Sequence, residues 1–256
     1  MLRFANFVNW ECDLEDTMKF FEWYKQRYAI KTYHEAVKIV KRLLKHVNAP
    51  FVSLISSPKL PKRSKIVVKR EHIQKFINKA MKLPCCEVIK QRFITGIFIC
   101  STSGLRVEEL YKLSVEDIDV ENRTIRIRAE NAKDREERIT FFSEEAKKEL
   151  LKLLELVKTE RVKRIERVKK PIFWKESFHY VYGSFKHVIG QYRLKLCRKF
   201  FSQQSDRFGM PTAAKKILMG HSLHGDVDLQ HYDYQDEEEL KQIYDRYWRD
   251  FCIFDA

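Results

Sequence analysis

The chain has 256 residues, 44% of them hydrophobic, with only 7 Gly and 6 Pro and a formal net charge of +14. This composition excludes a disordered or collagen-like chain, and no run of about 18 apolar residues marks a membrane-spanning helix. The positive excess points to a polyanionic partner, nucleic acid before an acidic membrane surface.

The opening stretch MLRFANFVNWECDLED lacks the charged-then-apolar order of a secretory signal and reads as cytoplasmic. Helical periodicity begins at LEDTMKFFEWYKQRYAI, with Leu14, Met18, Phe21 and Tyr24 or Lys25 in phase. TYHEAVKIVKRLLKHV follows, with Thr32 and Glu35 spaced as a capping box. Ala36, Val37, Val40, Leu43, Leu44 and Val47 form its apolar face. Lys38, Lys41, Arg42 and Lys45 lie around its other side, as a solvated face or as phosphate contacts.

SSPKLPKRSKIVVKR then interrupts the pattern with prolines, serines and bases, among them Lys59, Lys62, Arg63 and Lys65. It reads as an interdomain linker able to lie along a DNA backbone. The expected organisation is a short helical DNA-binding domain over 1–58, a basic linker over 59–68 and a larger domain over 69–256. The fold class is mainly α with a small antiparallel β-sheet (α+β).

In the larger domain the pattern predicts helices over about 69–82, 86–102 and 106–113. TIRIRAE then alternates, with Ile125 and Ile127 on one side and Arg126 and Arg128 on the other; RITFF returns to close a β-hairpin. Helices resume after Ser143 as N-cap and continue through SFHYVYGSFKHVIGQYRLKLCRKFFSQ, PTAAKKILMG and DEEELKQIYDRYWRDFCIF. In the last of these, Leu240, Ile243, Tyr244, Tyr247 and Phe251 form one stripe, for the chain's own core or for a neighbouring subunit. The six cysteines show neither paired CxxC spacing nor a Cys/His array, so reduced, mostly buried thiols and no zinc site are expected.

Several cations stand out within this scaffold. Arg106 follows a glycine at a helix start, where backbone N–H groups and a guanidinium jointly suit an anion. Lys195 and Arg198 are three apart on one helical face, Lys133 sits in the hairpin, and His221 ends a helix ahead of Tyr232. From Ile217 to Leu240 there is no Lys or Arg, while Asp226, Asp228, Asp233 and Asp236 to Glu239 surround Tyr232 and Tyr234.

The order of these motifs resembles the tyrosine recombinases, the family of phage integrases and Xer-type resolvases. TSGLRVEELYKLSVEDID is similar to the first signature box, with Ser103 where Thr is usual. AENAKDREERITFF resembles the hairpin that carries a lysine, here Lys133. KLCR stands where His-x-x-Arg is usual, a form similar to integrases of archaeal viruses and plasmids. ILMGHS and LQHY resemble the Gly-His motif and the tyrosine segment, at a spacing two residues longer than the commonest.

The resemblance implies a site-specific recombinase that cleaves and rejoins double-stranded DNA through a 3′-phosphotyrosyl link, without cofactor or metal. Tyr232 would be the nucleophile, and Arg106, Lys133, Lys195, Arg198 and His221 would complete the catalytic set. It also implies a homotetramer on paired DNA sites with exchange of C-terminal helices, and a monomer or dimer when free. A non-catalytic DNA-binding protein on the same fold and a type IB topoisomerase-like enzyme are the competing readings.

Overall fold

The computed structural model describes residues 1–61, 66–132, 135–163, 171–221 and 236–254, with side chains left out for 159–163. It divides into two compact units, Met1–Ile66 and Val67–Ala256. Tyr232, Tyr234, Lys133, Lys62, Arg63 and Lys65 lie outside the described residues.

The first unit holds α1 (Leu2–Phe7), α2 (Leu14–Arg27) and α3 (Ile30–His46) around Phe4, Val8, Phe20, Phe21, Val37, Val40, Leu44 and Ile55. Asp13 starts α2 by accepting the Asp16 amide at 2.8 Å, which satisfies one orphan donor of the first turn. Three sequence expectations need correction. The six-residue α1 spans too few turns to show a period in the sequence. Its Phe4 and Phe7 meet Phe20 at centroid distances of 5.1 and 5.4 Å, so the buried face of α2 is Thr17, Phe20 and Phe21, while Met18 is half exposed. The Thr32–Glu35 capping box does not form. The short connection from α2 makes α3 start at Ile30, so both residues lie within the helix, and Ala29 precedes it without a side-chain cap. Val47, lying beyond the helix end, is exposed.

The second unit is built on α5 (Glu87–Ser103), which is buried over nearly all its length. Around it pack α4 (Arg70–Met81), α7 (Glu144–Lys163), α8 (Lys175–Ser184) and α10 (Lys195–Phe208). Such a helix carries apolar side chains all round, as a core element must. α6 (Val107–Leu110), α9 (Lys186–Ile189) and α11 (Thr212–Met219) are short connectors, and α12 spans Glu237–Trp248. A three-stranded antiparallel sheet, β1 (Ile118–Asp119), β2 (Thr124–Ile127) and β3 (Arg138–Phe141), pairs Ile125 with Thr140 and Ile127 with Arg138. Ile125 and Ile127 point into the core and Arg126 faces solvent, as their alternation requires. Ser143 caps α7, its hydroxyl accepting the Ala146 amide at 3.3 Å. The fold is mainly helical with one small sheet, and among the described residues no helix is long and apolar enough to cross a membrane.

α12 packs on its own chain's core. Asp236 accepts the Glu239 amide at 2.8 Å, and acids fill the first turn, where the helix dipole favours them. Leu240, Tyr244 and Trp248 are the buried positions, at i, i+4 and i+8, so Trp248 rather than Tyr247 completes the buried stripe. Tyr244 Oη donates to the Thr102 carbonyl at 2.9 Å and Trp248 Nε1 to Ser205 Oγ at 3.1 Å. The indole stacks on Phe201 at 4.8 Å. Trp248→Ala is therefore expected to cost about 3–5 kcal/mol, read as a shift in the chemical-denaturation midpoint.

Of the cysteines, Cys100 and Cys197 are buried while Cys86 and Cys252 are exposed, so the expectation of mostly buried thiols describes only the core pair. Burial pushes the Cys100 and Cys197 thiols up, the latter to about 12. Both are therefore poor nucleophiles.

Candidate active site

The site begins where α5 ends. Gly104 closes that helix in the left-handed region at φ +67°, and a Cβ there would fall 2.5 Å from the Phe201 ring. The chain then passes through buried Leu105 and delivers Arg106 to the start of α6. Glu109 reaches back to the Arg106 amide at 2.8 Å and to its Nη1 at 3.0 Å. That ties the arginine to its own helix.

α10 approaches from the other side, with Lys195 at its first position and Arg198 almost one turn later. Arg198 Nη1 donates to the Gly104 carbonyl, and Nη2 to the Met219 carbonyl at 2.7 Å. The same Nη2 lies 3.0 Å from His221 Nε2. A guanidinium only donates, so Nε2 accepts here and the imidazole proton resides on Nδ1.

The C-terminal end of α11 is the meeting point. Gly220 ends it at φ +63°, and the His221 amide returns to the Lys216 carbonyl at 2.9 Å. Three successive carbonyls are taken by three arginines: Leu218 by Arg138 at 3.3 Å, Met219 by Arg198 and Gly220 by Arg106 at 2.6 Å. Cations suit this negative helix end, and their convergence leaves a strongly positive field beside His221.

The charges respond accordingly. Burial, then the neighbouring Arg106, brings Arg198 down to about 10. Partial burial, then Arg198, Arg106, Arg138 and Lys215, lowers His221 below the usual imidazole range, so its ring is neutral at pH 7. For Glu109 burial works upward, but its hydrogen bonds and ion pairs with Arg138 and Arg106 outweigh it and hold the carboxyl below the usual range.

Arg106, Lys195 and Arg198 line one cleft of about 920 Å³, with Lys112, His179 and Tyr182 further along its wall. Arg106, Arg198 and His221 thus come together, and Lys195 stands exposed on the rim of the same cleft. Lys133 and Tyr232 lie outside the described residues. No sequence signal singles out Arg138: Arg126, Arg128 and Arg138 look alike along a hairpin, and only the fold turns the third one inward.

In the first unit Lys38, Arg42 and Lys45 are exposed on α3, and Lys59 is exposed after it. Lys41 differs, for its ammonium donates to the Ile55 carbonyl within the unit. Among the described residues no group of three or more His, Cys, Asp or Glu is placed to hold a metal ion.

Comparison with known proteins follows the same lines. The chain is 34% identical over 131 residues to tyrosine recombinase XerA of Saccharolobus solfataricus, a match spanning 51% of this chain and 41% of that relative. Its fold is similar to XerH site-specific recombinase bound to its difH substrate, at TM-score 0.61 and 17% identity, covering 91% of this chain and 67% of the other. It is also similar to the Tn1549 transposon integrase in complex with circular intermediate DNA, at TM-score 0.55 and 15% identity, covering 91% and 84%. Residues 67–232, well over half the chain, match the phage integrase family, and the chain belongs to that family.

Proposed function

We propose that this protein is a tyrosine-type site-specific DNA recombinase, an integrase similar to those of archaeal mobile elements, acting on double-stranded DNA in the cytoplasm. The observation that carries the reading is the convergence of Arg106, Arg198 and His221 on the end of α11, the two arginines lining one cleft with Lys195. The attacked phosphodiester gains negative charge on its non-bridging oxygens, and two fixed guanidiniums bind such oxygens in fork geometry. Tyr232 loses its phenolic proton to solvent as its oxygen bonds the phosphorus, the 5′-oxygen leaves with a proton from Lys133, and a 3′-phosphotyrosyl bond conserves the energy for rejoining. His221 hydrogen-bonds the phosphate, and Lys195 acts by its charge.

In this reading the first unit and the basic linker bind the DNA backbone. Lys38, Arg42, Lys45 and Lys59, with Lys62, Arg63 and Lys65, would contact phosphates, while Lys41 serves the unit's own packing. Four copies would assemble on two paired sites and exchange C-terminal segments. The relatives solved with difH substrate and with circular intermediate DNA support DNA as the partner.

The test is incubation with nicked suicide duplexes, including a random-sequence pool, in the presence of a chelator. A covalent protein–DNA adduct on a denaturing gel is the expected result. No adduct on any substrate would leave the non-catalytic DNA-binding reading in its place. Plasmid relaxation without recombination between paired sites would instead favour the topoisomerase reading.

A further inference from the structure

We infer that Arg138, outside the predicted catalytic set, is a positioning residue that neutralises Glu109 and so keeps the charge of Arg106 available to the scissile phosphate. The inference rests on the cleft being a phosphoryl-transfer site. Glu109 is a carboxylate with 2% side-chain exposure, placed directly beside the arginine that must hold an anion. A guanidinium paired alone with such a carboxylate forms a neutral couple and attracts a phosphate weakly.

Arg138 changes that balance. Its Nη1 and Nη2 meet Glu109 Oε1 and Oε2 at 3.0 and 2.7 Å, a bidentate fork. The same oxygens accept Nη1 and the backbone amide of Arg106, so the carboxylate has four donors and its acceptor capacity is filled. Two guanidiniums thus share one carboxylate, so Glu109 does not draw on Arg106 alone. The side chain of Arg138 is itself only 9% exposed, which suits a support rather than a direct phosphate ligand.

Arg138 also fixes geometry. It is the first residue of β3, paired with Ile127, so it stands on the strand that returns from the hairpin carrying Lys133. Its Nε donates to the Leu218 carbonyl, and the guanidinium lies against Gly220, where a Cβ would fall 2.7 Å from Nε. One side chain thereby links the hairpin, the Arg106 box and the helix end that presents His221.

Arg138→Gln tests this. Adduct formation is expected to slow about 10²-fold while DNA affinity holds. The His221 imidazole, followed by NMR in the full chain without DNA, is expected to titrate at higher pH. The groups facing it are Arg198, Arg106, Arg138 and Lys215, and one of those charges is gone. Glu109→Gln combined with Arg138→Gln removes a charge of each sign, and should move His221 back towards the parent value and recover much of the rate.

A single variant that loses affinity as much as rate would overturn the inference, because Arg138 would then contact DNA itself. A double variant no faster than the single one would overturn it too. Thermal unfolding checks that each variant folds. If the glutamine variant does not, Arg138→Lys is read instead: it should leave the His221 titration in place with a smaller loss of rate, and a displaced titration would refute neutralisation. Failure of the parent protein to form any adduct would sink the functional reading, while the His221 titrations would still report on the Arg138–Glu109 link.

Discussion

Tyr232→Phe is expected to abolish the covalent protein–DNA adduct, and Tyr234→Phe to spare it. The phenol has a pKa near 10, so about 0.1% is ionised at neutral pH, and attack depends on nearby cations or on proton removal as the bond forms. Phenylalanine removes the attacking oxygen and nothing else of size, so DNA binding should persist. Tyr232 follows His221 by eleven residues and Tyr234 by thirteen, and the family's motif places the nucleophile nearer the shorter interval. Denaturing gels of both variants on one suicide duplex decide the matter. The reverse outcome would move the nucleophile to Tyr234.

Arg198→Ala should slow cleavage by roughly 10²–10³-fold, measured in single-turnover adduct formation. Arg198 is partly buried, and Arg106 beside it adds repulsion, which together bring it down to about 10. A base whose folded pKa is depressed costs stability while it is charged. That cost is present below pH 10, and it is relieved as pH rises through the folded value towards the unfolded one. An incoming phosphate relieves the same repulsion, so the site favours an anion before any chemistry begins. Alanine removes the repulsion together with the bonds to Gly104, Met219 and His221, and these two effects oppose each other in the folding equilibrium. Thermal unfolding should therefore move little beside the rate. A melt that collapses in parallel with activity would reassign Arg198 to structure.

The sequence was most legible where one element carries its own period. The helices at Arg70–Met81 and Glu87–Ser103 and the hairpin strands Thr124–Ile127 and Arg138–Phe141 fall where apolar spacing puts them. It was least legible where a partner from elsewhere decides. Six residues of α1 make too short a window, yet Phe4 and Phe7 choose which face of α2 is buried. The Trp248 anchor depends on Phe200, Phe201 and Phe208 of α10, some forty residues upstream.

The candidate site divides in the same way. Arg106, Arg198 and His221 are chemically able residues in ordered motifs, and linear order brought them to notice. Nothing linear marks Arg138, because its partners are a carboxylate 29 positions away and the Leu218 carbonyl at the end of α11. Taken alone, the sequence determined the class of fold, the excess of positive charge and the residue types suited to phosphoryl transfer, since composition, period and motif order are local properties. Only the tertiary structure decided which charges face one another. Burial and distance set whether a guanidinium is spent on a carboxylate or left for a phosphate, and neither can be read along a chain.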